Sequence, residues 1–83
     1  MRYTVTSHPD MEDKLALIWL QAPDKNAVAR ASDEIDRLLK HTSLDVGEPD
    51  GTNRAITIDP LKAIYTVSPN DRLVQILDYI YTG

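Results

Sequence analysis

The sequence contains no cysteine, which excludes disulfides, thiolate metal sites and thiol nucleophiles. It also has no long apolar run. The longest, residues 15–20, has six members, whereas a helix that crosses a bilayer needs roughly 20. The first ten residues lack the apolar stretch of a targeting signal, and no repeat or Gly/Ser-rich linker divides the chain. We therefore expect one cytoplasmic domain over residues 1–83, without a membrane partner.

The sequence also has fewer basic than acidic residues. The 83 residues include 13 acidic and 9 basic side chains, for a net charge of −4. That balance disfavours a general binder of nucleic acids or membranes. The acidity lies in residues 1–50, which hold 10 acidic and 6 basic side chains, while residues 51–83 hold three of each. Net charge alone therefore does not exclude RNA from the second part of the chain.

The first part of the chain has the pattern of a strand followed by two helices. Residues 2–7 alternate as in a half-buried strand. Pro9 after His8 suits the first position of a helix, and Pro23 ends it because the residue before a proline avoids the α region. Asp24 is a good N-cap for the second helix, so the short joint predicts an antiparallel helical hairpin. The apolar faces of the two helices comprise Met11, Leu15, Ile18 and Ala22, then Val28, Ala31, Ile35 and Leu38.

The second part has the pattern of a loop and three strands. We expect the loop over residues 41–53 and strands over 54–58, 61–68 and 72–81, separated by proline-containing turns. Alternate side chains of the middle strand face the helices or a more open side. The first set is Leu61, Ala63, Tyr65 and Val67, and the second is Lys62, Ile64, Thr66 and Ser68. The predicted order is β-α-α-β-β-β, an α+β fold with a helical hairpin on one face of a small, mainly antiparallel sheet.

Several short segments occur in an order typical of one family. The first helix begins at His8-Pro9 with an acidic first turn, and Leu15 and Trp19 follow. The remaining segments are Ala27-Val28, Ile35 to Leu38, Val46-Gly47-Glu48, Asn53-Arg54, Pro60-Leu61, Ile64 to Val67, Asp71-Arg72 and Val74 to Leu77. Together they make the whole chain resemble the RelE/ParE superfamily of bacterial type II toxins, of the plasmid-stabilisation type.

The resemblance implies a toxin that an antitoxin protein holds silent. RelE-like members inhibit translation by cutting mRNA on the ribosome, through attack of a ribose 2′-hydroxyl on the neighbouring phosphate. That chemistry needs a proton acceptor and cations that stabilise the charge on phosphorus. Carried over to this sequence, the family positions assign catalytic phosphate contacts to Arg54 and Lys62 and a place near the scissile ribose to Tyr81.

The last strand departs from the nuclease pattern at Asp78, Ile80 and Thr82, where such members carry Arg or His. We therefore expect a weakened mRNA endoribonuclease. Two alternatives stay open: a non-catalytic toxin-like domain that binds a partner peptide, and a ParE-like inhibitor of DNA gyrase. An antitoxin is the expected partner, the ribosome and mRNA follow from the nuclease interpretation, and a homodimer stays open.

Other residues have simpler interpretations. Tyr79 and Tyr81 share a strand face, for which docking of a partner is favoured over stacking on RNA bases. Trp19 and Tyr65 are interpreted as residues of the core or its edge. The acidic segment 45–50 is interpreted as a solvated loop rather than an oxygen-ligand metal site. We expect no cofactor and no metal ion.

Overall fold

Two helices pack against a five-stranded sheet in the computed structural model, which describes residues 2–42 and 46–83. The predicted α+β class, the helical hairpin and the mainly antiparallel sheet are confirmed. In chain order the elements are β1 (Thr4–Ser7), α1 (Pro9–Gln21), α2 (Lys25–Thr42), β2 (Glu48–Asp50), β3 (Asn53–Ile58), β4 (Leu61–Ser68) and β5 (Leu73–Tyr81).

The strands lie in the order β1-β5-β4-β3-β2 across the sheet. β1 runs parallel to β5, beginning with Thr4 opposite Leu73, and the other pairs are antiparallel. β1 begins later than predicted because the Tyr3 N–H donates to the Lys40 carbonyl of α2, at 2.7 Å. β5 also begins one residue later, since Arg72 adopts a positive φ of 50° in the preceding turn.

The predicted loop over residues 41–53 is wrong at its start and near its end. α2 continues to Thr42, and Glu48–Asp50 form β2, which pairs with the beginning of β3. The pattern missed this strand because a proline between two acidic residues has low β propensity. The hairpin that follows supplies the pairing, and its Gly51 has a φ of +63°, which suits glycine.

Both helices begin where the sequence predicts. His8 is the N-cap of α1, and its Nδ1 accepts a hydrogen bond from the Asp10 N–H at 3.3 Å. Pro9 occupies the first turn. Asp24 caps α2 by accepting a hydrogen bond from the Ala27 N–H at 3.1 Å. Within the described ranges, neither helix is long and apolar enough to span a membrane.

The core lies between α2 and the helix-facing side of the sheet. Leu61, Ala63 and Tyr65 of β4 are fully buried, so the predicted inward set of this strand is confirmed. By contrast, α1 has no fully buried residue. Trp19, expected in the core or at its edge, is 41% exposed because it lies on a flank of α1 rather than against the sheet. The largest fully buried side chains are Tyr65, Ile35, Leu39, Leu61, Val28 and Val74.

A β-bulge changes which residues of β5 face the helices. The ladder with β4 passes from Ile76 to Asp78 and leaves Leu77 without a partner on that strand. Tyr79 and Tyr81 then share one face of the strand, as predicted, and that face is the helix-facing side. However, Tyr79 is only 7% exposed and belongs to the core. The prediction that both tyrosines dock a partner is therefore wrong for Tyr79.

Candidate functional site

The three predicted site residues do not share a face of the sheet. Directly opposite residues of antiparallel strands point to the same side. Arg54 lies opposite Tyr65, and Tyr81 lies opposite Leu61, and both of these β4 partners are fully buried on the helix-facing side. Lys62 belongs to the alternate set of β4 and lies on the other side, which we call the open face. The structure therefore separates the cation of Lys62 from Arg54 and Tyr81.

The Arg54 guanidinium is engaged by the chain itself. Its Nη2 donates to the Val46 carbonyl oxygen at 2.9 Å and lies 3.4 Å from the Gly47 carbonyl oxygen. Its Nε is buried and has no hydrogen-bond partner among residues 2–42 and 46–83. Donors that hold backbone carbonyls are not free to clamp a phosphate. The geometry gives Arg54 a structural role, and its phosphate contact stays a prediction.

Four residues meet at this point, and we call Val46, Gly47, Arg54 and Tyr65 the Val46 cluster. The Tyr65 hydroxyl donates to the same Val46 carbonyl oxygen at 2.9 Å. Gly47 has a φ of +78°, and a Cβ atom there would lie 2.6 Å from the Ala55 carbonyl oxygen and 2.7 Å from the Tyr65 hydroxyl. Only glycine fits such a position. Sequence reasoning missed the cluster, although a glycine just before a strand is a signal for it.

Lys62 lies at a shallow pocket of about 410 Å³ on the open face. Lys62 is half-buried and has no ion-pair partner in the described part of the chain. The pocket contains one cation and one carboxylate; its lining residues are Gly47, Glu48, Pro49, Ala55, Ile56, Thr57 and Lys62. A single lysine attracts one phosphate as a point charge, without the paired donors of arginine.

The second half of β5 forms a free edge of the sheet. β1 pairs with β5 only as far as Ile76, so residues 77–81 have no strand on that side within the described chain. Lys14 of α1 reaches this edge and pairs with Asp78. The same Asp78 oxygen accepts a hydrogen bond from the Tyr79 N–H at 2.9 Å. Asp78, whose carboxylate is engaged by Lys14 and by the Tyr79 N–H, therefore occupies a position where the nuclease pattern has a basic residue.

The two tyrosines of β5 differ in what they offer chemically. Burial raises the pKa of Tyr79 above its ordinary value of 10.0, and the Asp36 carboxylate raises this pKa further. The Tyr79 phenol therefore keeps its proton at neutral pH. Tyr81 is 37% exposed near the end of the helix-facing side. It reaches solvent, but its side chain lies on the opposite side of the sheet from Lys62, although Tyr81 directly follows Ile80, the strand partner of Lys62.

The acidic side chains do not form a metal centre in the part of the chain that the structure describes. No three His, Asp or Glu side chains are arranged there to hold a metal ion. Asp45 of the predicted acidic segment lies outside the described residues. Glu48 is exposed beside the open-face pocket, although it belongs to β2 and not to a loop.

Comparison with known proteins yields matches in structure and none in sequence. No family model and no curated protein matches the sequence. The RelBE2 toxin–antitoxin complex of Mycobacterium tuberculosis contains a chain that aligns with a TM-score of 0.80 at 16% identity, covering 100% of this chain and 95% of that one.

Two other toxin–antitoxin structures align nearly as well. A chain of the archaeal RelE-RelB complex from Pyrococcus horikoshii aligns with a TM-score of 0.71 at 20% identity, covering 100% and 98% of the two chains. A chain from the chromosomal ParDE system of P. aeruginosa aligns with a TM-score of 0.74 at 15% identity, covering 99% of this chain and 98% of that one. These alignments span essentially the full length of each protein. The chain therefore has the RelE/ParE toxin fold, as the resemblance of its sequence implied.

Proposed function

We propose that this chain is the toxin-fold subunit of a toxin–antitoxin module, and that it binds an antitoxin but does not cut RNA efficiently. Support for the module comes from the fold, since the similar structures are toxin–antitoxin complexes. Fold alone does not establish an activity, because one fold carries many functions. The activity must therefore be argued from the side chains.

The observation that carries the proposal is the separation of Arg54, Lys62 and Tyr81. Cleavage by a 2′-hydroxyl requires a proton acceptor and cations within reach of one phosphate. Here Lys62 is on the open face, whereas Arg54 and Tyr81 are on the helix-facing side. Arg54 also holds the Val46 carbonyl. These three residues are thus poorly arranged to act together on a single phosphodiester.

The second candidate is ribosome-dependent cleavage of mRNA centred on Lys62. One observation favours it: the open-face pocket places the Lys62 ammonium and the Glu48 carboxylate in the same concavity. Glu48 would accept the proton of the 2′-hydroxyl, and Lys62 would contact the phosphate. In this candidate the ribosome and mRNA are the partners, and Lys62 is the residue on which activity depends.

Expression in bacteria separates the two candidates. The chain is expressed alone and together with the small gene adjacent to its own, and growth, mRNA integrity and complex formation are measured. We expect a stable complex with the neighbouring protein and little growth arrest by the chain alone. Arrest with cleaved mRNA that Lys62→Ala abolishes and Arg2→Ala preserves would establish the nuclease instead.

Two further results of this experiment are informative. Arrest with DNA damage and intact mRNA would favour inhibition of DNA gyrase. The absence of both arrest and a complex would contradict the module itself. The mass of the purified chain in solution tests the homodimer. Lys62→Ala is preferred to Arg54→Ala as the active-site variant, because loss of the Arg54 hydrogen bonds would also change stability.

A further inference from the structure

The second half of β5 is unpaired on one side, and the β4–β5 register shows which backbone groups face that side. When the register is continued, Thr82 lies opposite Pro60, and the Thr82 N–H donates to the Pro60 carbonyl at 2.8 Å. Residues whose backbone groups face the neighbouring strand alternate along an antiparallel pair. The backbone groups of Ile80 therefore face β4, whereas those of Tyr79 and Tyr81 face the unpaired side. We call this side of the strand, at Tyr79 and Tyr81, the β5 edge.

The sequence at the β5 edge lacks the charges that usually protect an exposed strand. Residues 79–83 contain no charged side chain, and both Ile80 and Tyr81 are exposed. The strand at the other end of the sheet is different. β2 has Pro49 between two acidic residues, a combination that discourages pairing with another chain. The β5 edge is therefore better suited to accept a further strand than the edge that β2 forms.

Two side chains next to the β5 edge oppose such pairing. Asp78 Oδ1 accepts a hydrogen bond from the outward-facing Tyr79 N–H at 2.9 Å, so the donor that a new strand needs is already bonded. Lys14 of α1 forms an ion pair with the same oxygen and holds the carboxylate at the edge. A new strand must displace this carboxylate before it can bond to Tyr79. We call this ion pair the Lys14–Asp78 latch.

We propose that the β5 edge pairs with the same edge of a second copy of this chain, and that the Lys14–Asp78 latch keeps this pairing weak. Antiparallel pairing about a two-fold axis at Ile80 places Tyr79 of each copy opposite Tyr81 of the other. The outward backbone groups of these two residues then form four N–H···O=C bonds across the axis. This inference goes beyond the proposed function, because it concerns contact between two identical chains and requires neither an antitoxin nor RNA.

The side chains along the β5 edge also complement those of a second copy. Ile80 lies opposite Lys62 and therefore on the open face, where it is exposed. In the proposed pair it meets Ile80 of the other copy, and apolar side chains directly opposite each other stabilise a strand pair. Each Asp78 falls opposite Thr82 of the other copy, so the two carboxylates do not face each other. Because four backbone bonds make a contact much smaller than a standard interface, we expect the parent dimer to be weak.

Sedimentation velocity of the full chain over a range of concentrations measures the association. We expect the parent chain to be mainly monomeric and Asp78→Ala to lower the dimer Kd about tenfold, because the Tyr79 N–H becomes free to bond to the other copy. Asp78→Asn is the matched control. Its amide oxygen can still accept this N–H, so its Kd should stay closer to that of the parent. An Asp78→Ala chain that forms no dimer, or associates no better than Asp78→Asn, would overturn the inference.

Further substitutions in the Asp78→Ala chain locate the contact. Ile80→Lys places two like charges opposite each other at the two-fold axis and is expected to weaken the dimer about tenfold or more. Leu20→Lys adds the same charge at an exposed apolar residue of α1 and should preserve it. Tyr81→Pro removes an outward N–H and should also weaken the dimer, whereas Tyr81→Phe should not. Equal effects of Ile80→Lys and Leu20→Lys would place the contact elsewhere and overturn the inference.

Hydrogen exchange of single backbone groups distinguishes this dimer from any other. The Tyr81 N–H should exchange rapidly in the monomer and slowly in the Asp78→Ala dimer, whereas the Ile80 N–H, which faces β4, should be protected in both. A dimer in which the Tyr81 N–H still exchanges rapidly would overturn the inference. If the neighbouring protein protects the Tyr81 N–H while no variant of the chain dimerises, the β5 edge binds that protein instead, and the inference is wrong although the module stands.

Discussion

Arg54 and Tyr65 donate hydrogen bonds to the same acceptor, the carbonyl oxygen of Val46, each at 2.9 Å. The two donors lie directly opposite each other on β3 and β4. Together they fix the segment that leads into β2, because one residue from each of two strands donates to its carbonyl. Arg54 is thus a residue on which this part of the fold depends, in addition to any contact that it makes with a ligand.

Arg54→Ala is expected to lower the free energy of unfolding by about 1–3 kcal/mol, since it removes a charged donor from a partly buried carbonyl. Arg2→Ala, which removes an exposed cation, is expected to change it by less than about 0.5 kcal/mol. Urea unfolding followed by circular dichroism measures both. An Arg54→Ala chain as stable as the parent would contradict the structural role and favour a ligand contact.

Because Arg54 and Tyr65 share the Val46 carbonyl as acceptor, we expect their contributions to stability to be coupled. The same urea unfolding measurement tests this. Tyr65→Phe alone leaves Val46 bonded to Arg54, and we expect a loss of about 0.5–1.5 kcal/mol. The double variant leaves the Val46 carbonyl without either donor. Its loss is therefore expected to exceed the sum of the single losses, by roughly 0.5 kcal/mol or more. Strict additivity would mean that the two bonds are independent.

Gly47→Ala is expected to destabilise the chain more than Gly51→Ala, although both glycines have a positive φ. Each alanine incurs about 1 kcal/mol of backbone strain. Only at position 47 would the new Cβ also meet atoms within 3 Å, whereas nothing lies within 4 Å at position 51. Thermal unfolding of the two variants gives the comparison. Equal losses would show that the Val46 cluster opens without penalty.

Tyr79→Phe is expected to make stability less sensitive to alkaline pH. The pKa of Tyr79 is raised in the folded chain, so above about pH 10 the unfolded chain releases this proton first and binds fewer protons. Stability therefore falls as pH rises through this range. Urea unfolding at about pH 8 and about pH 11 should show a smaller fall in Tyr79→Phe than in the parent or in Tyr81→Phe. An equally steep fall would contradict the assignment.

Asp78→Ala is expected to be more destabilising than Lys14→Ala. The ion pair is partly exposed, with side-chain exposures of 42% for Lys14 and 38% for Asp78, so loss of the lysine should change stability by about 0.2–1 kcal/mol. Loss of Asp78 also removes the acceptor of the Tyr79 N–H, which adds about 1 kcal/mol. Asp78→Asn keeps an acceptor and should lie between the two. The reverse order would show that the ion pair dominates.

Local chemistry made much of this fold predictable. The N-caps His8 and Asp24 and the terminator Pro23 depend on nearest neighbours along the chain, so their roles could be read from the sequence. The alternation through Leu61, Ala63 and Tyr65 likewise reports burial directly. The residue pattern behind each of these features is contained in a short segment of the sequence.

The features that were missed depend on contacts between distant segments. Strict alternation along β5 would continue from Ile76 to Asp78, and only the bulge at Leu77 places Tyr79 in the core instead. The exposure of Trp19 depends on how α1 lies beside α2. The resemblance to the family assigned phosphate contacts to both Arg54 and Lys62. The register of β3 on β4 places the two side chains on opposite sides of the sheet, and this register cannot be read from either strand alone.

The parallel pairing of β1 with β5 has a consequence for the order in which the protein folds. Thr6 donates a side-chain hydrogen bond to the Val74 carbonyl at 3.3 Å, across 68 positions of sequence. β1 precedes its partner strand β5 by most of the described elements, so the two can pair only after those elements have been made. The helical hairpin and the antiparallel β3–β4–β5 segment join elements that are closer in sequence, so we expect them to form sooner. We therefore expect β1 to join the sheet after β3, β4 and β5 have paired with one another.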